Sequence, residues 1–224
     1  MVWGINMNSD IYKIKVWSEY AKCHVSVLSS FQLELYREAV KHLQGDVGDF
    51  GCGSARLAPF LADQPYVNSY MGVDIADEMV AVARKHISML ANDKFRIVHC
   101  KIEDVHEQFT SAVSINSYYA WPEPERVLRH IFQLQTPGSL FVLATPNNTL
   151  DMPKLLRETD KELLCHPDYA NFKQFNLQFA NNPNARFVPL NLLLRQVQEV
   201  GFEVLECHQN HYLGGVNYLL LKSA

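Results

Sequence analysis

Gly48-Asp49-Phe50-Gly51-Cys52-Gly53-Ser54-Ala55-Arg56-Leu57 is the stretch on which the reading of this 224-residue chain turns. It opens in a short apolar run, residues 47–52, that predicts a strand, and it passes into a helical pattern over 55–62. Two glycines at a strand-to-helix turn let the backbone approach a ligand closely and adopt torsions that other residues resist. A dinucleotide-binding turn needs a third glycine or alanine three places after the second, beneath a pyrophosphate. Arg56 stands there instead, and an acid, Asp49, precedes the glycines. A buried acid favours a cation and repels phosphate. The turn therefore reads as a seat for a ligand that carries an amine.

Outward from this turn, β-rich runs alternate with helical patterns, the layout of a mostly parallel sheet covered on both faces. Strands are predicted at 69–74, 96–100, 111–116 and 139–145, with helices at 77–90 and 124–134. Asp77 is read as the N-cap of the first of these helices, and Thr136-Pro137-Gly138-Ser139 as the turn that feeds the fifth strand. The end of the chain differs. An amphipathic helix over 189–200 stops at Gly201, and strands at 202–208 and 216–222 flank a loop with Gly214-Gly215. So short a connection makes them antiparallel neighbours, because a parallel pair needs a crossover. Open sheets of this kind bind ligands at the carboxyl ends of their strands. The whole chain, 1–224, reads as a single domain, with 1–44 as an N-terminal helical cap and 147–187 as an insertion that forms a substrate lid.

Asp49-x-Gly51-x-Gly53-x-Ala55 resembles motif I (Asp/Glu-x-Gly-x-Gly-x-Gly) of the Rossmann-like, class I, S-adenosylmethionine-dependent methyltransferases, with alanine in the last place. The family's fold is α/β, a doubly wound, seven-stranded, mostly parallel sheet whose last strand is antiparallel. The resemblance extends to Gly72-Val73-Asp74-Ile75, to Lys101-Ile102-Glu103-Asp104 and to the turn before the fifth strand, covering roughly residues 45–145 and 188–222. It implies S-adenosyl-L-methionine as cofactor and assigns residues to it. Asp49 would face the ammonium group, directly or through water, with the Gly51 and Gly53 backbone along the methionine and ribose. Asp74 would chelate the ribose hydroxyls, since a carboxylate offers two acceptors. Ile75 and Met79 would line the adenine pocket, Ile102 and Glu103 the adenine edge, and Tyr20, from an N-terminal helix, would reach the methionine end. The implied activity is methyl transfer by in-line displacement to a small-molecule acceptor. A protein or RNA methyltransferase, or a non-catalytic cofactor-binding relative, are the other classes.

After the fourth strand comes Asn116-Ser117-Tyr118-Tyr119-Ala120-Trp121, where these enzymes place their acceptor. It lacks the two prolines of the Asn-Pro-Pro-Tyr loop that serves amide and exocyclic amino nitrogens. Tyr118, Tyr119 and Trp121 are read as an aromatic wall, which fits a planar or hydrophobic acceptor. Tyr118, Tyr119 and His211, the last in the loop between the final strands, are the candidate catalytic residues. Phe172, Phe175 and Phe179 recur at helical spacing in the insertion, and Trp17, Tyr20, Cys23 and His24 do so near the start.

Composition narrows the classes further. Lys+Arg 20 against Asp+Glu 24 leaves a formal charge of -4, without the basic excess of a nucleic-acid binder. Five widely spaced cysteines with no Cys-x-x-Cys pair predict neither a disulfide framework nor a structural zinc site, so no metal is expected. The opening MVWGINMNSD shows no basic-then-apolar leader, and no apolar run is long enough to span a bilayer. A cytoplasmic protein without nucleic-acid or membrane partners is the expectation.

Overall fold

Alternating apolar residues in the strands bury opposite faces of one sheet, and helices cover both. The computed structural model describes residues 14–224. The opening ten residues on which the leader was judged, and the first part of the 1–44 cap, lie outside the described residues. β1 (Gly45–Phe50) is central and pairs in parallel with β2 (Val67–Asp74) and β4 (Phe109–Ile115). β3 (Phe95–His99) extends the sheet beyond β2, and β5 (Gln135–Pro146) extends it beyond β4. β7 (Val216–Lys222) runs antiparallel between β5 and β6 (Glu203–His208), giving the order β3-β2-β1-β4-β5-β7-β6. The expected seven strands and reversed last strand are present. The chain winds first to one side of β1 and then to the other, so the carboxyl ends of β1 and β4 flank the switch point.

The strands show why both faces are covered. Val142 and Ala144 of β5 pack on one side with α2 (Ser30–Val40), α4 (Asp77–Ser88) and α6 (Met152–Leu163). Phe141 and Leu143, which alternate with them in sequence, pack on the other with α5 (Pro124–Gln133) and α8 (Leu190–Val200). A third apolar cluster joins α1 (Ile14–His24) and α7 (Tyr169–Ala180) to Met79 of α4. The 147–187 segment thus supplies α6 and α7. Among the described residues, no helix is long and apolar enough to cross a membrane.

Local details differ from the sequence reading. Asp77 is not the cap of α4: Ala76 holds that place and Asp77 lies in the first turn, where its charge suits the helix dipole. Thr136-Pro137-Gly138-Ser139 loops out inside β5, since Gln135 pairs with Phe109 but the next register pair is Leu140 with Ser111. The first crossover helix, α3, spans only Ala58–Ala62 and begins later than the pattern suggested. The cause is Ala55, at φ 55, which carries the chain through one more left-handed step after Gly51 and Gly53.

A left-handed conformation costs an alanine about 1–2 kcal/mol. Replacing Ala55 with glycine relieves that strain but loses a buried methyl group and adds unfolded-state freedom, terms of about 0.5–1 kcal/mol each. Ala55→Gly is therefore expected to change stability by less than about 0.5 kcal/mol. Ala83→Gly, equally buried in the middle of α4, is expected to cost about 2 kcal/mol. Urea denaturation of both variants checks the contrast; equal losses would show that Ala55 is unstrained.

Candidate functional site

Asp74, the last residue of β2, ties the glycine turn to the next helix. Its Oδ2 accepts from the Gly53 N–H at 2.9 Å, and its Oδ1 accepts from the Ala76 N–H at 2.9 Å. The Gly51 and Cys52 N–H groups both donate to the Val73 carbonyl, at 2.9 and 3.0 Å. Gly51 and Gly53 sit at φ 77 and 55, and a Cβ on Gly51 would come within 2.4 Å of the Ser117 side chain. Ser117 is itself fixed, because its hydroxyl donates to the Phe50 carbonyl at 3.0 Å. The ends of β1, β2 and β4 are in this way locked around one bend.

Beside the bend lies a cavity of ≈ 560 Å³, within the range of about 300–1,000 Å³ typical of small-molecule sites. Of the residues named from the sequence, Gly51, Gly53, Asp74, Ile75, Met79, Ile102 and Glu103 all line it. Tyr20 and Trp17 of α1, Tyr119 and Trp121 of the loop after β4, and Phe172 and Phe179 of α7 supply an aromatic wall. Trp17 stacks on Phe179 with centroids 4.6 Å apart and lies 6.0 Å from Tyr119, while Tyr20 stacks on Phe172 at 5.9 Å. The Asn176 amide donates to the Tyr20 hydroxyl at 3.1 Å. Burial raises the Tyr20 and Tyr119 pKa values, so both phenols stay protonated.

Three predicted residues lie off the cavity wall. Asp49 is 5% exposed behind the turn, where its carboxylate accepts from the Tyr70 hydroxyl at 2.7 Å. Burial pushes its pKa up to about 7; the Tyr70 hydrogen bond opposes this and the nearby Asp74 charge adds to it. Tyr118 turns into the core, its hydroxyl 2.6 Å from Gln196 Oε1 on α8, and burial raises its pKa to about 12. His211 faces Glu38 of α2, with Nε2 3.1 Å from a carboxylate oxygen, and burial lowers its pKa against the opposing pull of Glu38. For the two loop residues, Tyr118 and His211, the reason is the same. Neighbouring residues in a tight loop point opposite ways, so Tyr119 and Tyr212 line the cavity in place of Tyr118 and His211.

The sequence reading also passed over contributors to the wall. His24, named only for its spacing, lines the cavity with Nδ1 2.9 Å from Ser54 Oγ. Burial, reinforced by the Arg56 charge, holds its pKa well below the ordinary imidazole value, so the ring is neutral. Asn176 and Tyr212 also line it; the Tyr212 hydroxyl accepts from the Asn116 amide at 3.0 Å. No local pattern marks these positions, because the fold brings them together from segments far apart in the chain. Arg56 is buried under the turn, where it donates to the Val27 carbonyl and lies 5.9 Å from the Phe172 ring centroid. It braces the α1–α2 connection.

The model of a family described as "Methyltransferase domain" matches residues 29–207. No curated protein matches the sequence. Several solved structures are similar. A SAM-dependent methyltransferase from Aquifex aeolicus is 13% identical, with TM-score 0.65, over 96% of this chain and 99% of that one. The N-methyltransferase NodS from Bradyrhizobium japonicum, in complex with S-adenosyl-L-homocysteine, is 10% identical, with TM-score 0.61, over 87% and 88%. The complex of the Haloferax volcanii Trm112 methyltransferase activator with a methyltransferase gives 13% and 0.64, over 94% and 97%. At these identities the likeness is one of fold.

The raised pKa of Asp49 has a consequence for stability. Between about pH 4 and pH 7 the folded chain keeps a proton on Asp49 that the unfolded chain has lost. That contribution is complete at acid pH and fades as pH rises through about 7. Asp49→Asn retains an acceptor for Tyr70 and removes the titration. It is expected to exceed the wild-type stability by on the order of 2–4 kcal/mol above pH 7, with the advantage vanishing near pH 4. Urea denaturation at pH 4, 6 and 8 checks this; a pH-independent difference would assign the slope elsewhere.

Proposed function

The chain belongs to the methyltransferase domain family, and from that premise we propose that it transfers the methyl group of S-adenosyl-L-methionine to a small, planar or hydrophobic acceptor. One observation carries this reading: a single cavity joins a carboxylate-clasped glycine turn to an aromatic wall. The relative NodS was crystallised with S-adenosyl-L-homocysteine, which supports the same cofactor here. Bound S-adenosylmethionine supplies a methyl carbon already activated by a sulfonium charge.

The residues present fit such a ligand. Asp74 spends one acceptor site of each oxygen on the backbone and keeps the others for a diol. The backbone of Gly51 and Gly53 gives close approach without side chains in the way. Ile75, Met79 and Ile102 offer apolar contacts for a flat heterocycle, and Glu103, on the same cavity wall, would meet the adenine edge. Asp49 acts through space, as a buried acid whose ionised form is favoured by a nearby cation.

For the acceptor, this chain provides position and dryness. Tyr119, Trp121, Phe172 and Phe179 present flat apolar faces, while α1 and α7 contribute to the cavity wall and would help to exclude water. Holding reactants in line contributes on the order of 7–11 kcal/mol in favourable cases. Tyr20, held by Asn176, lies within the wall at the α1–α7 contact and would meet the amino-acid end of the cofactor. The neutral His24 ring is the imidazole on the wall, available to an acceptor that must lose a proton. α7's place in that wall supports a lid role for residues 147–187. A protein or RNA acceptor would call for an open groove in place of this aromatic roof.

Calorimetry with S-adenosylhomocysteine tests the cofactor site. Asp74→Ala is expected to weaken binding by about 1–3 kcal/mol, the value of hydrogen bonds to a charged group; unchanged affinity would remove Asp74 from its role. Affinity is also expected to rise with pH through about 7, as Asp49 loses the proton that a cationic ligand disfavours, and Asp49→Asn should flatten that profile. Methyl transfer from labelled cofactor to soluble aromatic acceptors would support the small-molecule reading. Label that precipitates with acid alone would replace it with a macromolecular one.

A further inference from the structure

Behind the cavity, Glu38 of α2, His208 at the end of β6 and His211 in the connection to β7 converge. Among the described residues, one ligand atom from each lies within 4.8 Å of the other two. His208 Nε2 is 2.9 Å from Glu38 Oε1, His211 Nε2 is 3.1 Å from Glu38 Oε2, and Glu206 Oε1 is 3.7 Å from His208 Nε2. Donors at the corners of a tetrahedron with bonds of ~2.0–2.1 Å stand about 3.3–3.4 Å apart. The separations bracket that spacing.

His211 supplies the second observation. It is 1% exposed, yet neither ring nitrogen makes a hydrogen bond of acceptable geometry. Its Nε2 lies 3.1 Å from Glu38 Oε2, close enough for an ion pair but outside hydrogen-bond geometry. The His208 ring is held in place, stacked on Tyr218 with centroids 4.6 Å apart and planes 8° from parallel. Buried imidazoles without partners are rare, and two imidazoles with a carboxylate form a preferred donor set for zinc-like ions.

We infer that Glu38, His208 and His211 form a binding site for a divalent transition-metal ion of zinc-like preference, completed by Glu206 or water. The spacing of cysteines that argued against a metal does not bear on this site, whose ligands come from a helix, a strand end and a loop. Coordination at His208 Nε2 moves that ring's proton to Nδ1, at the loss of a long 3.4 Å contact from the Asn210 N–H. The ion would brace a strained turn. Tyr212 and Leu213, next to His211, both sit in the left-handed region, at φ 51 and 59, and Tyr212 reaches the cavity wall. The site is thus a structural clamp behind the acceptor pocket, and it stands whether or not the methyltransferase reading holds.

Cobalt titration of the chelator-treated full chain tests it. With CoCl₂ as probe, the wild type should take up one equivalent, with the visible absorption of tetrahedral Co²⁺, and one equivalent of ZnCl₂ should bleach it. His208→Gln and Glu38→Gln should each weaken binding at least tenfold, while His106→Gln, in an exposed loop, should leave it unchanged. Zinc should raise the melting midpoint of the wild type and not of His208→Gln. Absence of saturable tetrahedral absorption in the wild type overturns the site, as does its retention in both variants. The wild-type titration decides alone if the variants do not fold.

Discussion

The bidentate clasp of Asp74 on the Gly53 and Ala76 N–H groups is the constraint around which the rest is arranged. It fixes the end of β2, the bend after β1 and the start of α4 with one carboxylate. Charged acceptors make backbone hydrogen bonds roughly twice as strong as neutral ones. Burial raises the Asp74 pKa while these backbone donors oppose the rise. The same group thus holds the scaffold and lines the cavity.

Around that clasp, a second set of contacts makes a chamber. The Trp17–Phe179 and Tyr20–Phe172 stacks join α1 to α7, elements about 150 residues apart in sequence. Aromatic pairs of this kind contribute about 0.5–1.5 kcal/mol each beyond their burial. They rest on α4 rather than on the sheet, so this layer can shift without breaching the two main faces of the core. A site that must admit a guest and then exclude water benefits from such a division.

What could be read in the sequence is what local geometry dictates. Glycines at a strand end, an acid at the end of the next strand and apolar runs of strand length all declare themselves within ten residues. Asp74, Met79 and Ile102 fall on the cavity for that reason. Tyr118 against Tyr119, and His211 against Tyr212, could not be told apart, because loop side chains alternate and only the packed partner decides which faces inward. Gln196 and Glu38 are those partners, and each is far away in sequence. Asn176 and the His208–His211–Glu38 grouping depend wholly on topology, and no spacing rule encodes them.

Strain is placed with equal economy. Of the non-glycine described residues at positive φ, Ala55 lies in the glycine turn, Asn116 and Tyr212 line the cavity, and Leu213 follows Tyr212; Ala91 alone is remote. Such positions cost on the order of 1–3 kcal/mol each and persist only where their surroundings over-determine them. The buried Asp49 adds an electrostatic cost at the same place. The buried residues of β5 and β7 that form the sheet faces are mostly apolar, with Thr145 Oγ1 and Tyr218 Oη among the buried atoms that make no hydrogen bond. Among the described residues, most of the non-glycine backbone strain therefore gathers around one chamber. A cation beside Asp49 and Asp74 would offset the repulsion between the two carboxylates, so binding and stabilisation would be the same event.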